Sequence, residues 1–314
     1  MSTGRTTILA GVSELGAYDL SLRTALELGR HSGATVHLVH AFEMPPLMGA
    51  APGADPGYAG QWVRLGPELQ AGLEEVARPL RGDAPVVCHA IAGPAAAVIR
   101  GLADETGAGL VVVGAAHAGR MRQAFLGITA QRVLRAVHAP VLVVRRPLRG
   151  APPRVLLTTD LSPLSAAVHE RGLDTVEAFL GPELEAARSL VVAAFGFVSP
   201  PLSAEVLAEA AKQQLSGFLA ARRHRPRQVE PAVRTDGAPA AEIVDEAAEW
   251  RADLLVVGTR ARHGIGRMLL GSTAEACMRD APCNVLAIPP VRPAAGWAPH
   301  QTVPAEAVAM AAGA

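Results

Sequence analysis

Leu254-Leu255-Val256-Val257-Gly258-Thr259-Arg260-Ala261-Arg262-His263-Gly264-Ile265-Gly266-Arg267-Met268-Leu269-Leu270-Gly271-Ser272 is the stretch on which the fold turns. A short, wholly aliphatic run ends at a glycine, a glycine- and arginine-rich segment follows, and Gly271-Ser272 opens a segment of helical period. Such a run is a strand buried on both faces, which requires helices above and below its sheet. The same pattern occurs earlier as Leu110-Val111-Val112-Val113-Gly114, an offset of 144 from Leu110 to Leu254. That offset also carries Gly93 to Gly237, Leu126-Gly127 to Leu270-Gly271, Thr129-Ala130 to Thr273-Ala274 and Val141-Leu142 to Val285-Leu286. The chain is therefore a tandem duplication. Its joint lies in Arg146-Pro147-Leu148-Arg149-Gly150-Ala151-Pro152-Pro153, where prolines and a glycine block helix and strand continuation. The units are read as 1–148 and 149–290, followed by a flexible tail, 291–314, in which Ala305–Ala312 has the composition of a short helix.

Within each unit, β-branched runs alternate with helical segments, the pattern of parallel strands joined by crossover helices. The fold class is α/β, two tandem units, each an open five-stranded, mainly parallel sheet with helices on both faces. Strands are predicted at Thr6–Val12, Thr35–Phe42, Pro85–Ile91, Leu110–Gly114 and Val141–Arg145, then at Arg154–Thr159, Ser189–Phe197, Val229–Thr235, Leu254–Gly258 and Val285–Ile288. Helices are predicted at Asp19–His31, Pro67–Arg81, Pro94–Thr106, Thr129–Val137, Ser165–Leu180, Ala204–Arg223, Pro239–Trp250 and Ser272–Asp280, with Gly49–Gly60 as a loop.

Composition narrows the function. Of 314 residues, 50% are hydrophobic and 18% charged, the balance of a globular chain. Lys+Arg and Asp+Glu are both 29, so no net field draws the chain to nucleic acid or an anionic membrane. No apolar run reaches the ~20 residues of a membrane-spanning helix. The N-terminus has no signal-peptide pattern, so a cytoplasmic site is expected. Three cysteines, Cys88, Cys277 and Cys283, without metal-type spacing, read as reduced, buried thiols.

Ligands of an open parallel sheet lie beyond the carboxyl ends of its strands. Two segments qualify there, the 258–272 loop and Thr158-Thr159-Asp160-Leu161-Ser162. Glycines admit a close ligand, and the free amides of a helix start favour an anion by ~0.3–1 kcal/mol. The Ser272 hydroxyl suits either a helix cap or a phosphate, and Asp160 suits a ribose or another polar part of a nucleoside. Glycine as mere loop punctuation is the plain alternative for Gly258 and Gly271. No Walker A lysine is present, and Gly264-Ile265-Gly266 lacks the spacing and position of a dinucleotide fingerprint.

These residues resemble the universal stress protein family, whose nucleotide-binding members carry a glycine, two residues, a glycine, nine residues, then glycine with serine or threonine. Gly258 and Gly271-Ser272 match, Ala261 replaces the second glycine, and Asp160 stands where the family has an acid. The resemblance spans residues 5–146 and 153–290. It implies ATP as ligand, with magnesium accompanying the triphosphate, held by Asp160, Val257, Gly258, Ala261, Gly271, Ser272 and Thr273. It also implies that the last strands of the two units pair, forming an intramolecular pseudo-dimer, with a further homodimer open. In the first unit, His117 replaces the second glycine, Ile128 the serine and Ser13 the aspartate, so that site is expected to be weak or empty, although Arg120, Arg122 and Thr129 offer anion contacts.

Other polar groups have plainer readings. His37 and His40 point to opposite faces of one strand. Glu74, Glu75, Glu183 and Glu185 read as solvated helix faces, and Arg222-Arg223-His224-Arg225-Pro226-Arg227 as a helix end. His263 and Arg267 share the phosphate-side loop and are the best exposed candidates beyond the glycines. No catalytic constellation is evident. The expected function is an ATP-binding regulatory protein of stress response, not an enzyme. A scaffold acting through dimerisation or partner contacts is the alternative, and slow ATP hydrolysis a third reading.

Overall fold

The computed structural model describes residues 6–43, 56–115, 126–149, 152–192, 204–220, 229–235, 237–259 and 270–290. In the first unit β1 (Thr7–Gly11), α1 (Leu20–Ser32), β2 (Thr35–Phe42), α2 (Pro56–Ala77), β3 (Val86–Ala92), α3 (Ala95–Thr106), β4 (Leu110–Gly114), α4 (Ile128–Ala136) and β5 (Val141–Val144) alternate. The second unit repeats them as β6 (Arg154–Thr159), α5 (Pro163–Leu180), β7 (Ala186–Val192), α6 (Ala204–Ala220), β8 (Val229–Arg234), α7 (Pro239–Glu249), β9 (Leu254–Gly258), α8 (Ser272–Asp280) and β10 (Asn284–Ile288).

The ten strands form one sheet in the order β3-β2-β1-β4-β5-β10-β9-β6-β7-β8. All neighbours are parallel except β5 and β10, which pair antiparallel with Val285 opposite Val143 and Ala287 opposite Val141. That pairing joins the two halves and removes what would otherwise be an exposed edge on each. One core lies under α1, α2 and α5, around Leu22, Leu26, Leu73, Val168 and Phe179. The other lies under α3, α4, α7 and α8, around Ile99, Val133, Ile243, Cys277 and Met278. The expected α/β class with both faces covered is what the chain adopts.

Helix ends follow local chemistry. Asp19 caps α1 by accepting from the Leu22 amide at 3.0 Å, and Gly33 ends it at φ 68°, a left-handed geometry suited to glycine. Four expectations need correction. Residues 56–60 belong to α2 and not to a loop, because Pro56 sits at the first helical position, where its missing amide costs nothing. That helix ends at Ala77, before Pro79, and contains Pro67 in its interior. Strand β7 begins at Ala186, ahead of the expected Ser189, because Arg188 is neutralised by Glu246 and Glu230 at 2.7 and 2.8 Å, while 193–197 lie outside the described residues. Glu183 and Glu185 are exposed, but in the turn after α5, where Glu185 meets Arg154 at 3.2 Å.

Candidate functional site

Strands β6 and β9 lie side by side, with Leu157 in register with Val256, so Thr159 and Gly258 end neighbouring strands and Asp160 emerges beside them. The turn that carries Asp160 is wired by short-range bonds. The Thr159 hydroxyl accepts from the Leu161 amide at 3.0 Å and donates to Ser165 Oγ at 2.8 Å, whose own proton goes to Ser162 O, and Asp160 Oδ1 accepts from the Ser162 amide at 3.0 Å. Ser162 caps α5 through the Ser165 amide, followed by a proline at the first helical position. Leu161 sits at φ 61°, a conformation that costs a residue with a β-carbon about 1 kcal/mol or more. The strain buys a three-residue connection, 160–162, with the Asp160 side chain exposed at the sheet's carboxyl edge.

On β9, the Thr259 amide donates to Ile288 O at 3.0 Å, and the Gly271 amide returns to Thr259 O at 2.9 Å. The ends of the intervening segment are thus pinned together at the sheet edge. Gly271 is the cap residue of α8 and provides no side-chain cap, so the expected capping role of Ser272 is not realised: Ser272 is already inside the helix, and exposed. The first-turn amides of Ser272, Thr273 and Ala274 donate to no capping side chain, the arrangement that receives anions. Gly271 has φ −64° and ψ 140°, open to any residue, so its conformation does not require glycine.

Gly258 has a packing reason of its own. A β-carbon there would lie 3.2 Å from Val168 Cγ2 on α5, closer than side chains normally tolerate. Val257 points into the core and is 2% exposed, which leaves only its backbone at the edge. Asp160, Gly258, Gly271, Ser272 and Thr273 therefore share one end of the sheet. Ala261, His263 and Arg267 lie outside the described residues, as do His117, Arg120, Arg122 and the basic cluster 222–227.

The first unit differs at the same place. Its β1–α1 connection covers residues 12–19, eight positions against three in the second unit. Its carboxylate, Asp19, was hidden from a position-by-position comparison by that insertion, although Asp19-Leu20-Ser21 carries a helix-cap signature. Asp19 is turned inward: Oδ2 accepts from the Ser13 amide and hydroxyl at 3.0 and 3.1 Å, and Oδ1 from Ser21 Oγ at 2.5 Å as well as from Leu22. Gly127 caps α4 without a side-chain bond, but Ile128 follows it, 70% exposed, in place of a hydroxyl.

His37 and His40 do face opposite sides of β2. His40 Nδ1 meets Val12 O at 3.0 Å, whereas His37 Nδ1 meets His89 Nε2 on β3 at 3.0 Å, a partner that only the strand register reveals. Cys88, Cys277 and Cys283 are buried and unpaired, and burial pushes their thiols up to about 11, about 12 and about 11. Among the described residues no group of three or more His, Cys, Asp or Glu is arranged to hold a metal, and no helix is long and apolar enough to cross a membrane.

Fold and edge together define a duplicated α/β protein whose loop-bearing edges sit at the carboxyl ends of one continuous sheet. The chain belongs to the universal stress protein family, whose model matches residues 4–145 and again 153–289. A universal stress protein of Methanocaldococcus jannaschii is 30% identical over 140 residues, 43% of this chain and 81% of the relative. One from Thermus aquaticus is 35% identical over 108 residues, 32% of this chain and 77% of the relative. A putative universal stress protein of Pseudomonas aeruginosa superposes with a TM-score of 0.65 at 17% identity, covering 91% of this chain and 94% of that one. A universal stress protein of Archaeoglobus fulgidus gives 0.58 at 17% identity, covering 91% and 97%. At those identities the solved structures bear on the fold alone.

Proposed function

We propose that the second unit binds an adenine nucleotide, ATP, and that the first unit completes the sheet without binding one. The observation that carries this reading is the Thr259–Gly271 bond, which ties the uncapped start of α8 to the end of β9, the strand next to the one that Asp160 follows. In that arrangement the amides of Ser272 and Thr273 and the Ser272 hydroxyl meet the phosphates, while Asp160 accepts from the nucleoside. Gly271 leaves room for a phosphate that a side chain would take. Magnesium accompanies the triphosphate as its counter-ion. The proposed role is recognition in a stress response, without turnover, in a cytoplasmic protein.

The first unit is the internal contrast: its carboxylate is hydrogen-bonded to Ser13, Ser21 and Leu22, and an exposed Ile128 takes the place of the hydroxyl residue at its helix start. Exposed Ile128 also favours the second reading, a scaffold that works through protein contacts. Mass spectrometry of the full chain, purified without added nucleotide and again after incubation with ATP, separates them. One adenine nucleotide retained per chain supports the proposal. A chain that stays empty in both preparations overturns it in favour of the scaffold.

A further inference from the structure

A cleft of about 350 Å3 lies at the junction of the two units, at the amino ends of β9 and β10, where Leu254 and Asn284 begin their strands. Gly258 and Ile288 end those strands at the opposite edge, so the cleft and the nucleotide edge are separate. Its size falls at the low end of the roughly 300–1,000 Å3 of small-molecule sites. The floor is apolar: Leu28 of α1, Phe179 near the end of α5 and Leu254 are buried, and Leu148 and Leu180 are half-buried. Leu148 belongs to the linker between the units, so neither unit alone has this cleft. Charged groups of both signs line it as well. Arg149 meets Asp253 Oδ1 through Nε at 3.1 Å, and Arg146 meets the same oxygen at 3.3 Å, so one carboxylate answers two guanidinium groups. The exposed Arg149 keeps its two terminal nitrogens, planar donors suited to a second carboxylate. Glu27 of α1 and Glu183 after α5 also face the cleft, and neither carboxylate has a partner among the described residues. His31, one turn on from Glu27, is exposed at the same border.

We propose that the junction cleft binds an α-amino acid with an aromatic side chain, of the phenylalanine type. The ring covers the floor made by Leu148, Phe179 and Leu180, which removes apolar surface from water and sets one aromatic ring against another. The carboxylate takes the terminal nitrogens of Arg149, and the ammonium pairs with Glu27 or Glu183. A ligand of one charge answers one set of these groups and leaves the other beside it, whereas a zwitterion answers both. Leu28 comes from the first unit and Phe179 from the second, so the bound ligand touches both.

Calorimetric titration of the full chain with L-phenylalanine tests the site, with 2-phenylethylamine and 3-phenylpropionate as analogues that each lack one charge. One phenylalanine per chain is expected to bind with a Kd below about 1 mM, and each analogue ~10-fold or more weakly. Arg149→Gln is expected to weaken phenylalanine binding ~10-fold, and Leu148→Trp, which fills the cleft, to abolish it. No phenylalanine binding to the unmodified chain up to about 10 mM overturns the proposal, whether or not the variants fold. An analogue that binds as tightly as phenylalanine overturns it equally, as does unchanged affinity in folded Arg149→Gln.

Discussion

The amide of Gly271 donates to the carbonyl of Thr259 at 2.9 Å, closing the neck of the loop between β9 and α8. This bond puts a helix start and a strand end at one point of the sheet edge. Thr259 is held in turn by Ile288 O on β10, so the neck is anchored to the strand that joins the two units. Site and inter-unit seam are therefore neighbours.

Asn284 seals the β5–β10 seam. It is 2% exposed, accepts from the Arg145 and Arg146 amides at 2.8 and 3.1 Å, and donates to Arg146 O at 3.1 Å. Arg145 then reaches the carbonyls of Met278 and Arg279 at the end of α8. Asn284→Ala is expected to cost about 2–3 kcal/mol, because the Arg145 and Arg146 amides and the Arg146 carbonyl, on half-buried residues, lose the Asn284 side chain as a partner. Urea denaturation measures it, and a loss under about 0.5 kcal/mol, the usual range of inert surface changes, contradicts the assignment.

Gly258→Ala separates packing from ligand contact. Its new methyl would press on Val168 Cγ2, and a loss of about 1–3 kcal/mol is expected. Val168→Ala in the same chain makes room, so the two changes together should cost less than their sum. Additive losses in thermal or urea unfolding would show that the methyl and Val168 do not meet.

Glu246, 6% exposed, accepts from Arg188 at 2.7 Å and Arg234 at 2.8 Å, while Arg154 and Arg188 lie over the Trp250 ring at 4.6 and 4.8 Å. Burial alone would raise its carboxyl, but hydrogen bonds and charge from the two arginines outweigh it and hold the group below its ordinary 4.5. A lowered folded value stabilises the fold above pH 4.5, and that stability is lost as pH falls through the folded value. The stability gap between the unmodified chain and Glu246→Gln should therefore be full at neutral pH and shrink in acid. A gap independent of pH in denaturation series would contradict the ion-pair account.

The thiols should be inert in the folded chain. With all three pushed to about 11 or higher and buried, an aromatic disulfide reagent at about pH 8 should find no rapidly reacting thiol before unfolding and all three after it. Fast reaction of Cys277 or Cys283 in the folded chain would contradict their burial.

Much of this architecture is legible in the sequence because buried parallel strands have a local signature. Leu110–Gly114, Leu254–Gly258 and Ser272–Asp280 have the bounds their aliphatic runs and helix signals indicate. The bounds of α2 are not legible from Pro56 and Pro67, since proline tolerance depends on the position within a helix and on tertiary support. The reversal of Asp19 was illegible because its partners, Ser13 and Ser21, are set by a loop insertion, not by the 144-residue repeat. The His37–His89 contact and the Asn284 seal join separate strands, so only the register brings them together. For the candidate site, the residue types and their shared edge were readable. The neck bond and the bare α8 start were not, because both are backbone features.

Calorimetric titration of the full chain with ATP and magnesium, repeated on Asp160→Asn, Gly271→Val and Gly127→Val, tests the asymmetric site most directly. The expected result is one ATP per chain, binding weakened ~10-fold or more by the first two changes and left intact by the third. No binding to the unmodified chain, or equal losses from Gly271→Val and Gly127→Val, would contradict it.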